Sequence, residues 1–353
     1  ELEQGPWRFT NRPFFWYSCF TTAAIGWLFY YKDNDKQYPF FHDIFCVGEL
    51  FVVEGFAWFT FAKILFMKIL FIGGTGMLGK PVAQELIRAG FDCTFFGRDH
   101  DKLKAIFPEA NIIQGDILDM QSIESAMKGM DTVYCNLSVT QHSGMKDPQP
   151  EREGIDHILA AAIKNGITRL GYLSSLVHRY EGMNGFSWWA FRMKEEAVQK
   201  IKASGIPYTI FYPSTFMETF PFQMLRGNKI ASLGRSVAPM WFIAAADYAK
   251  QVSRSFQQPG NDNREYAIQG PAAYTFEEAN RIFITHYTKK KLGILKAPIW
   301  LMKFLGLFAN QYNYAWHICE ALNKYPEKFE SQLTWDELGQ PATTLAAYAA
   351  SNP

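Results

Sequence analysis

An imbalance of charge is the first thing this sequence lacks. Lys and Arg total 35 against 34 Asp and Glu, a formal net charge of +1. No basic stripe with interleaved aromatics runs through it, so no nucleic-acid partner is expected. Paired cysteines are also lacking. The five cysteines (Cys19, Cys46, Cys93, Cys135 and Cys319) are odd in number and have no C-x-x-C spacing. That argues against a disulfide framework and a zinc site, and for a reducing compartment. The chain opens at Glu1 without a basic leader, so a cleaved signal peptide is not expected.

Aromatic residues, by contrast, make up 16% of the chain, and many fall within residues 1–66. Residues 14–31 (FFWYSCFTTAAIGWLFYY) carry no charge over 18 positions. As a helix they would extend about 27 Å at roughly 1.5 Å per residue, close to the bilayer's hydrocarbon thickness. Tyr and Trp crowd both ends, as they do at membrane interfaces. The run is therefore expected to be a transmembrane helix; the alternatives are a buried hydrophobic hairpin and a membrane-surface helix. Residues 38–66 are apolar too, but Glu49, Glu54 and Lys63 would be costly at a bilayer centre. An interfacial position is expected for them, with a second span inside a larger assembly as the alternative. The expected division is a hydrophobic anchor over 1–66, with membrane lipids as a partner, and an independent domain over 67–353. Charges flanking 14–31 are too balanced to set an orientation.

The second part is organised around Gly73-Gly74-Thr75-Gly76-Met77-Leu78-Gly79. An apolar segment, 68–72, precedes this run and a helical pattern, 78–89, follows it. Gly73 permits a tight turn, Gly76 lets backbone N–H groups approach a pyrophosphate, and Gly79 lets helix and strand pack closely. The spacing is G-x-x-G-x-x-G, and the strand before it and the helix after it supply the context a nucleotide site needs. Strands are expected at 68–72, 92–96, 111–114, 132–136, 169–174 and 208–212. Helices are expected at 78–89, 101–106, 120–128, 152–165 and 188–203. Such alternation predicts a Rossmann-like α/β fold, a doubly wound parallel sheet. A polar loop, 137–150, falls at the carboxyl edge, where ligands bind in such sheets. From about residue 214 the pattern becomes irregular, which predicts a smaller C-terminal lobe over the cleft. Residues 297–310 (APIWLMKFLGLFAN) are too short to span a bilayer and are expected to form a core or membrane-contacting helix.

These residues carry a family resemblance. GGTGMLG at 73–79, GRDHDKL at 97–103, QGDILD at 114–119, SGIPYTIFYPSTFME at 204–218 and FIAAADYA at 242–249 resemble the NmrA-like branch of the atypical short-chain dehydrogenases/reductases. The resemblance covers residues 67–353 and leaves 1–66 unassigned. It implies NAD(P) binding by Gly73, Thr75, Gly76, Met77, Leu78 and Gly79. It also implies that Asp116 and Ile117 flank the adenine and that Asn136 and Leu137 lead towards the nicotinamide. Arg98 comes before Asp99 at the tip of the second strand, where arginine can pair with a ribose 2′-phosphate. NADP(H) is therefore expected over NAD(H).

Ordinary members of the superfamily use a Tyr-x-x-x-Lys pair, but the position four before Lys194 is Ala190. Lys194 alone could act as acid/base, as in the isoflavone-reductase-like cousins, or hold ribose hydroxyls. Ser175 lies, with Ser174, where the superfamily's substrate-orienting serine falls, and Tyr180 is a candidate substitute acid. Trp188, Trp189, Phe216 and Trp241 are expected to wall an apolar cleft. Two functions follow. One is an NADPH-dependent reductase of a lipophilic substrate such as a quinone, isoprenoid, pigment or sterol-like molecule. The other is a non-catalytic, nucleotide-holding accessory or assembly subunit of a respiratory or photosynthetic membrane complex. The expected location is at a membrane, with the nucleotide-binding domain in cytoplasm, matrix or stroma.

Overall fold

The computed structural model describes the backbone of residues 3–9, 12–21, 24–33 and 36–43, and all of residues 67–260 and 262–351. The chain divides into two compact units, Glu1–Trp58 and Phe59–Pro353. In the first, strands β1 (Glu3–Phe9), β2 (Arg12–Thr21), β3 (Ala24–Asp33) and β4 (Lys36–Asp43) pair antiparallel in that order. The register of β2 on β3 runs from Phe14↔Tyr31 to Thr21↔Ala24. Of residues 14–31, expected as a transmembrane helix, residues 14–21 and 24–31 therefore run as two paired strands. Aromatic side chains favour strands, and an uncharged run of that length does not distinguish one helix from two strands. Among the described residues no helix is long and apolar enough to cross a membrane. Most of the second apolar stretch, residues 44–66, lies outside the described residues.

In the second unit the five residues Lys68–Ile72 form β5, and Ile69, Leu70 and Phe71 are fully buried. Such a continuous apolar run suits a strand covered on both faces. Then follow α1 (Gly79–Arg88), β6 (Asp92–Gly97), α2 (His100–Ile106), β7 (Asn111–Gln114), α3 (Met120–Ala126) and β8 (Thr132–Cys135). After the polar loop come α4 (Ile155–Lys164), β9 (Arg169–Leu173), α5 (Trp189–Ala203) and β10 (Tyr208–Pro213). The remainder holds β11 (Leu225–Arg226), β12 (Lys229–Leu233), β13 (Met240–Trp241), α6 (Ala245–Gln257), β14 (Arg264–Ile268) and β15 (Ala273–Tyr274). It closes with α7 (Phe276–His286), β16 (Gly293–Ala297), α8 (Ile299–Leu305), α9 (Asn310–Lys324), α10 (Gln332–Leu338) and α11 (Leu345–Ser351).

Seven strands make one sheet in the order β14-β10-β9-β8-β5-β6-β7, every pair parallel. Apolar residues of α3, α4 and α5 fill one face, and those of α1 and α6 fill the other. This is the doubly wound arrangement. The sixth expected strand is joined by a seventh, β14, which falls beyond the change of pattern at residue 214. The strand order reverses between β5 and β8, so the carboxyl ends of those two strands mark the crevice where ligands bind in such sheets. A separate core of Met217, Phe220, Ile230, Phe242, Phe283 and their neighbours forms the smaller lobe.

Candidate functional site

Between β5 and α1 the chain turns through Gly73, whose φ of +88° favours glycine. A Cβ at Gly73 would strike the Asn136 carbonyl oxygen, and one at Gly79 would strike the Gly73 carbonyl oxygen. Gly76 differs. It is exposed, and a Cβ there would meet nothing nearer than the Gly73 carbonyl oxygen at 3.6 Å. Thr75, Met77 and Leu78 are half-buried beside it, and Leu78, at the N-cap of α1, supplies no side-chain cap. The first N–H groups of a helix have no partner within it, and its dipole favours an anion there. The Gly76 amide donates to the Gly73 carbonyl at 3.4 Å, the Lys80 amide donates to the Gly76 carbonyl at 3.0 Å, and Pro81 has no N–H. The mouth of this βα unit is thus a tight glycine turn at a helix start, where the remaining turn amides and the helix dipole can face a diphosphate.

Asn136 extends from the end of β8, the next strand. Its amide donates to the Gly73 carbonyl at 3.5 Å, tying the two carboxyl ends together. At the tip of β6 the pair Arg98-Asp99 divides its work. Asp99 caps α2, accepting from the Lys102 amide at 2.9 Å. Arg98 is exposed, and its guanidinium has no hydrogen-bond or ion-pair partner among the described residues. Asp116 accepts from the Leu118 amide at 3.0 Å in a local turn, and Ile117 packs against Gly154 ahead of α4.

At the end of β9, Lys194 of α5 forms an ion pair with Glu151, whose side chain is 1% exposed against 15% for Lys194. Tyr172 on β9 donates to the same carboxylate oxygen at 3.0 Å, and the Lys194 ammonium lies 5.5 Å from the centre of the Tyr172 ring. Burial first, and Glu151 second, hold the Tyr172 phenol well above its usual pKa. Fully buried and committed to Glu151, it is a fixed donor. Ser175 is half-buried beside Ser174, whose hydroxyl lies 3.5 Å from His178 Nδ1. His178 Nε2 lies 2.8 Å from Glu195, and burial pulls the His178 pKa down.

Three sequence expectations change here. Tyr180 is fully buried against Phe186, with ring centres 4.9 Å apart, so it is a packing residue. Trp188 and Phe216 are core rather than cleft wall, at 3% and 7% exposure, because the helix start and the β10 loop that carry them turn inward. Trp189 and Trp241 remain half-buried. Sequence reasoning missed Glu151 and His178. Glu151 sits in a charged stretch, PEREG, that reads as an ordinary helix start, and only the fold brings it to Lys194.

The polar loop over 137–149 is pinned at its C-terminal end. Arg152 donates to the Met145 and Asp147 carbonyls at 2.9 Å each, and the fully buried Gln149 donates to the Gly144 carbonyl at 2.9 Å.

Comparison with known proteins agrees with this geometry. The model of a family described as NAD(P)H-binding matches residues 73–257, just over half of the 353 residues. The chain is similar to the (4-alkanoyl-5-oxo-2,5-dihydrofuran-3-yl)methyl phosphate reductase of Streptomyces griseus, with 28% identity over 213 residues. That match covers 60% of this chain and 70% of the relative. It is also similar to the photosystem II assembly factor Ycf39 of Trieres chinensis, with 22% identity over 263 residues, 72% of this chain and 80% of the relative. In fold it resembles the Citrobacter triphenylmethane reductase solved with NADP(H), at a TM-score of 0.65 and 16% identity, over 80% of this chain and 100% of that one. It likewise resembles an Escherichia coli NADPH-dependent quinone oxidoreductase solved with NADPH, at a TM-score of 0.61 and 19% identity, over 80% and 98% of the two chains.

Proposed function

The chain belongs to the NAD(P)H-binding family, with NmrA-like, atypical short-chain dehydrogenase/reductase neighbours in fold, and from that premise we propose an NADPH-dependent reductase of a lipophilic substrate. The glycine turn over 73–79 at the start of α1 carries the reading. Preference for NADPH is supported by Arg98, which is exposed and uncommitted while Asp99 is occupied as a helix cap. The nicotinamide supplies a hydride when bound. Lys194 holds ribose hydroxyls and, as the less buried member of its pair with Glu151, delivers the proton. Glu151 fixes the ammonium in place and Tyr172 fixes Glu151. Relatives that are reductases support the same reading. The test is oxidation of NADPH by a panel of quinones and other apolar acceptors, with Lys194→Met as the control. A turnover rate unchanged in that variant would remove the lysine from the chemistry.

The second reading is a nucleotide-holding assembly or accessory subunit of a membrane complex. Ala190 in the tyrosine position and the assembly factor among the relatives favour it. Under this reading the protein binds NADPH tightly and oxidises it with none of the acceptors. In either case a reducing, NAD(P)-containing compartment suits the free, buried Cys93 and Cys135.

A further inference from the structure

Residues 297–310 depart most sharply from a buried core. Helix α8 buries none of its residues. Trp300, Phe304, Leu307 and Phe308 are 67%, 54%, 78% and 75% exposed. Trp300 and Phe304 are four residues apart and share one helix face. The Phe304 and Phe308 ring centres lie 5.5 Å apart, which joins them in a single patch. Ile294 and Leu295 of β16, leading into α8, are exposed as well. Large apolar side chains grouped this way, roughly several hundred Å² of surface, mark an interaction site rather than ordinary surface scatter.

Along the sequence, the charge through this stretch has one sign. Between Glu278 and Glu320 there is no Asp or Glu, while Arg281, Lys289, Lys290, Lys291, Lys296 and Lys303 fall in that interval. Lys303 is committed to Glu320 at 2.6 Å and lies over the Trp316 ring. Lys289, Lys290, Lys291 and Lys296 are exposed, with no ion-pair partner among the described residues. Aromatic and leucine side chains and uncompensated lysines in one stretch, 289–308, combine the two attractions of an anionic bilayer, apolar insertion and headgroup pairing.

The patch also adjoins the cofactor side of the molecule. Asn310, just past Phe308, donates to the His142 carbonyl in the polar loop at 3.0 Å, and Tyr314 packs on Trp188 with ring centres 5.1 Å apart. We infer that the surface formed by α8 and residues 306–308, with the lysines at 289–291 and Lys296, docks the protein peripherally on an anionic lipid bilayer. This places the polar loop towards the lipid, the side from which an apolar substrate would arrive. The docking itself does not depend on turnover.

The test is co-sedimentation of the full chain with vesicles of phosphatidylcholine alone or mixed with phosphatidylserine, at low and high salt. Two variants join it: Trp300→Ser/Phe304→Ser/Leu307→Ser/Phe308→Ser, and Lys289→Gln/Lys290→Gln/Lys291→Gln. NADPH titration and thermal midpoint check that each is folded. The wild type is expected to favour the anionic vesicles and to release from them in salt. The apolar variant should bind about tenfold or more weakly, and the lysine variant should lose the preference for phosphatidylserine. If the wild type binds neither vesicle, the proposal is overturned. It is overturned equally if both variants bind as the wild type does, since the contact then lies elsewhere in the chain. A third contrary result is an apolar variant that changes oligomeric state while vesicle binding is unaltered, which would make the patch a self-association surface.

Discussion

Glu151 and Lys194 are 43 residues apart in sequence and meet as an ion pair at the carboxyl end of β9, the carboxylate buried and the ammonium at the edge of solvent. The pair explains how a site without the usual tyrosine keeps its lysine in one position. A buried carboxylate with Tyr172 on one side has a single direction left for its cation. Removing one partner leaves the other charge uncompensated, whereas removing both does not.

Replacing Lys194 with Met should therefore destabilise the fold by about 3–5 kcal/mol, with Glu151 left buried and unpaired. Adding Glu151→Gln should restore more than half of that loss without restoring the NADPH turnover of the wild type. Urea denaturation of the two variants checks this. A double variant no more stable than Lys194→Met would mean that the pair is not coupled.

Arg98→Ala should weaken NADPH binding about tenfold or more, the value of a charge-assisted pair with phosphate, and NADH binding less than about twofold. Titrations by nicotinamide fluorescence separate the two. Equal losses for both cofactors would remove the 2′-phosphate assignment.

Glu218 follows β10, is 8% exposed, and places both carboxylate oxygens 3.0 Å from the Ala245 amide at the start of α6. Burial pushes its pKa from the ordinary 4.5 up to about 7. The folded state therefore holds a proton that the unfolded chain releases, and this contribution to stability is lost as pH rises from about 4.5 through about 7. Glu218→Gln keeps an acceptor and removes the ionisation. Its stability relative to wild type should rise by on the order of 2 kcal/mol between pH 5 and pH 8. A difference that does not change with pH would show that the buried carboxyl titrates alike in both states.

Much of the fold was legible because its periods were clean. The apolar run before Gly73 and the alternation of strands and helices up to Pro213 reappear in the sheet within a residue or two at most boundaries. Helix α4 begins later than expected because residues Pro150–Gly154 are wound as a π-turn ahead of it. The N-terminal run was misjudged because length and lack of charge do not separate a helix from two strands. β14 was missed because it follows an irregular segment and joins the sheet beside β10 rather than beside its sequence neighbours. Local motifs located the glycine turn between β5 and α1 and the tip of β6 that carries Arg98. They did not locate Glu151, because nothing near it in sequence names its partner. Two of the four residues expected in the aromatic wall are core for a related reason. Burial of Trp188 and Phe216 depends on which way their loops turn, and composition does not encode that.

Gly76→Ala tests most directly whether the backbone of the turn over 73–79 receives a diphosphate. Gly76 does not have a positive φ, and a Cβ there meets no close neighbour, so the variant should keep its thermal midpoint within what about 1 kcal/mol would shift. Equilibrium titration of the full chain with NADPH should give saturable one-site binding for the wild type and a loss of about a hundredfold for the variant, whose methyl group occupies the space of the phosphates. A Gly76→Ala protein that binds NADPH as tightly as the wild type would contradict the account.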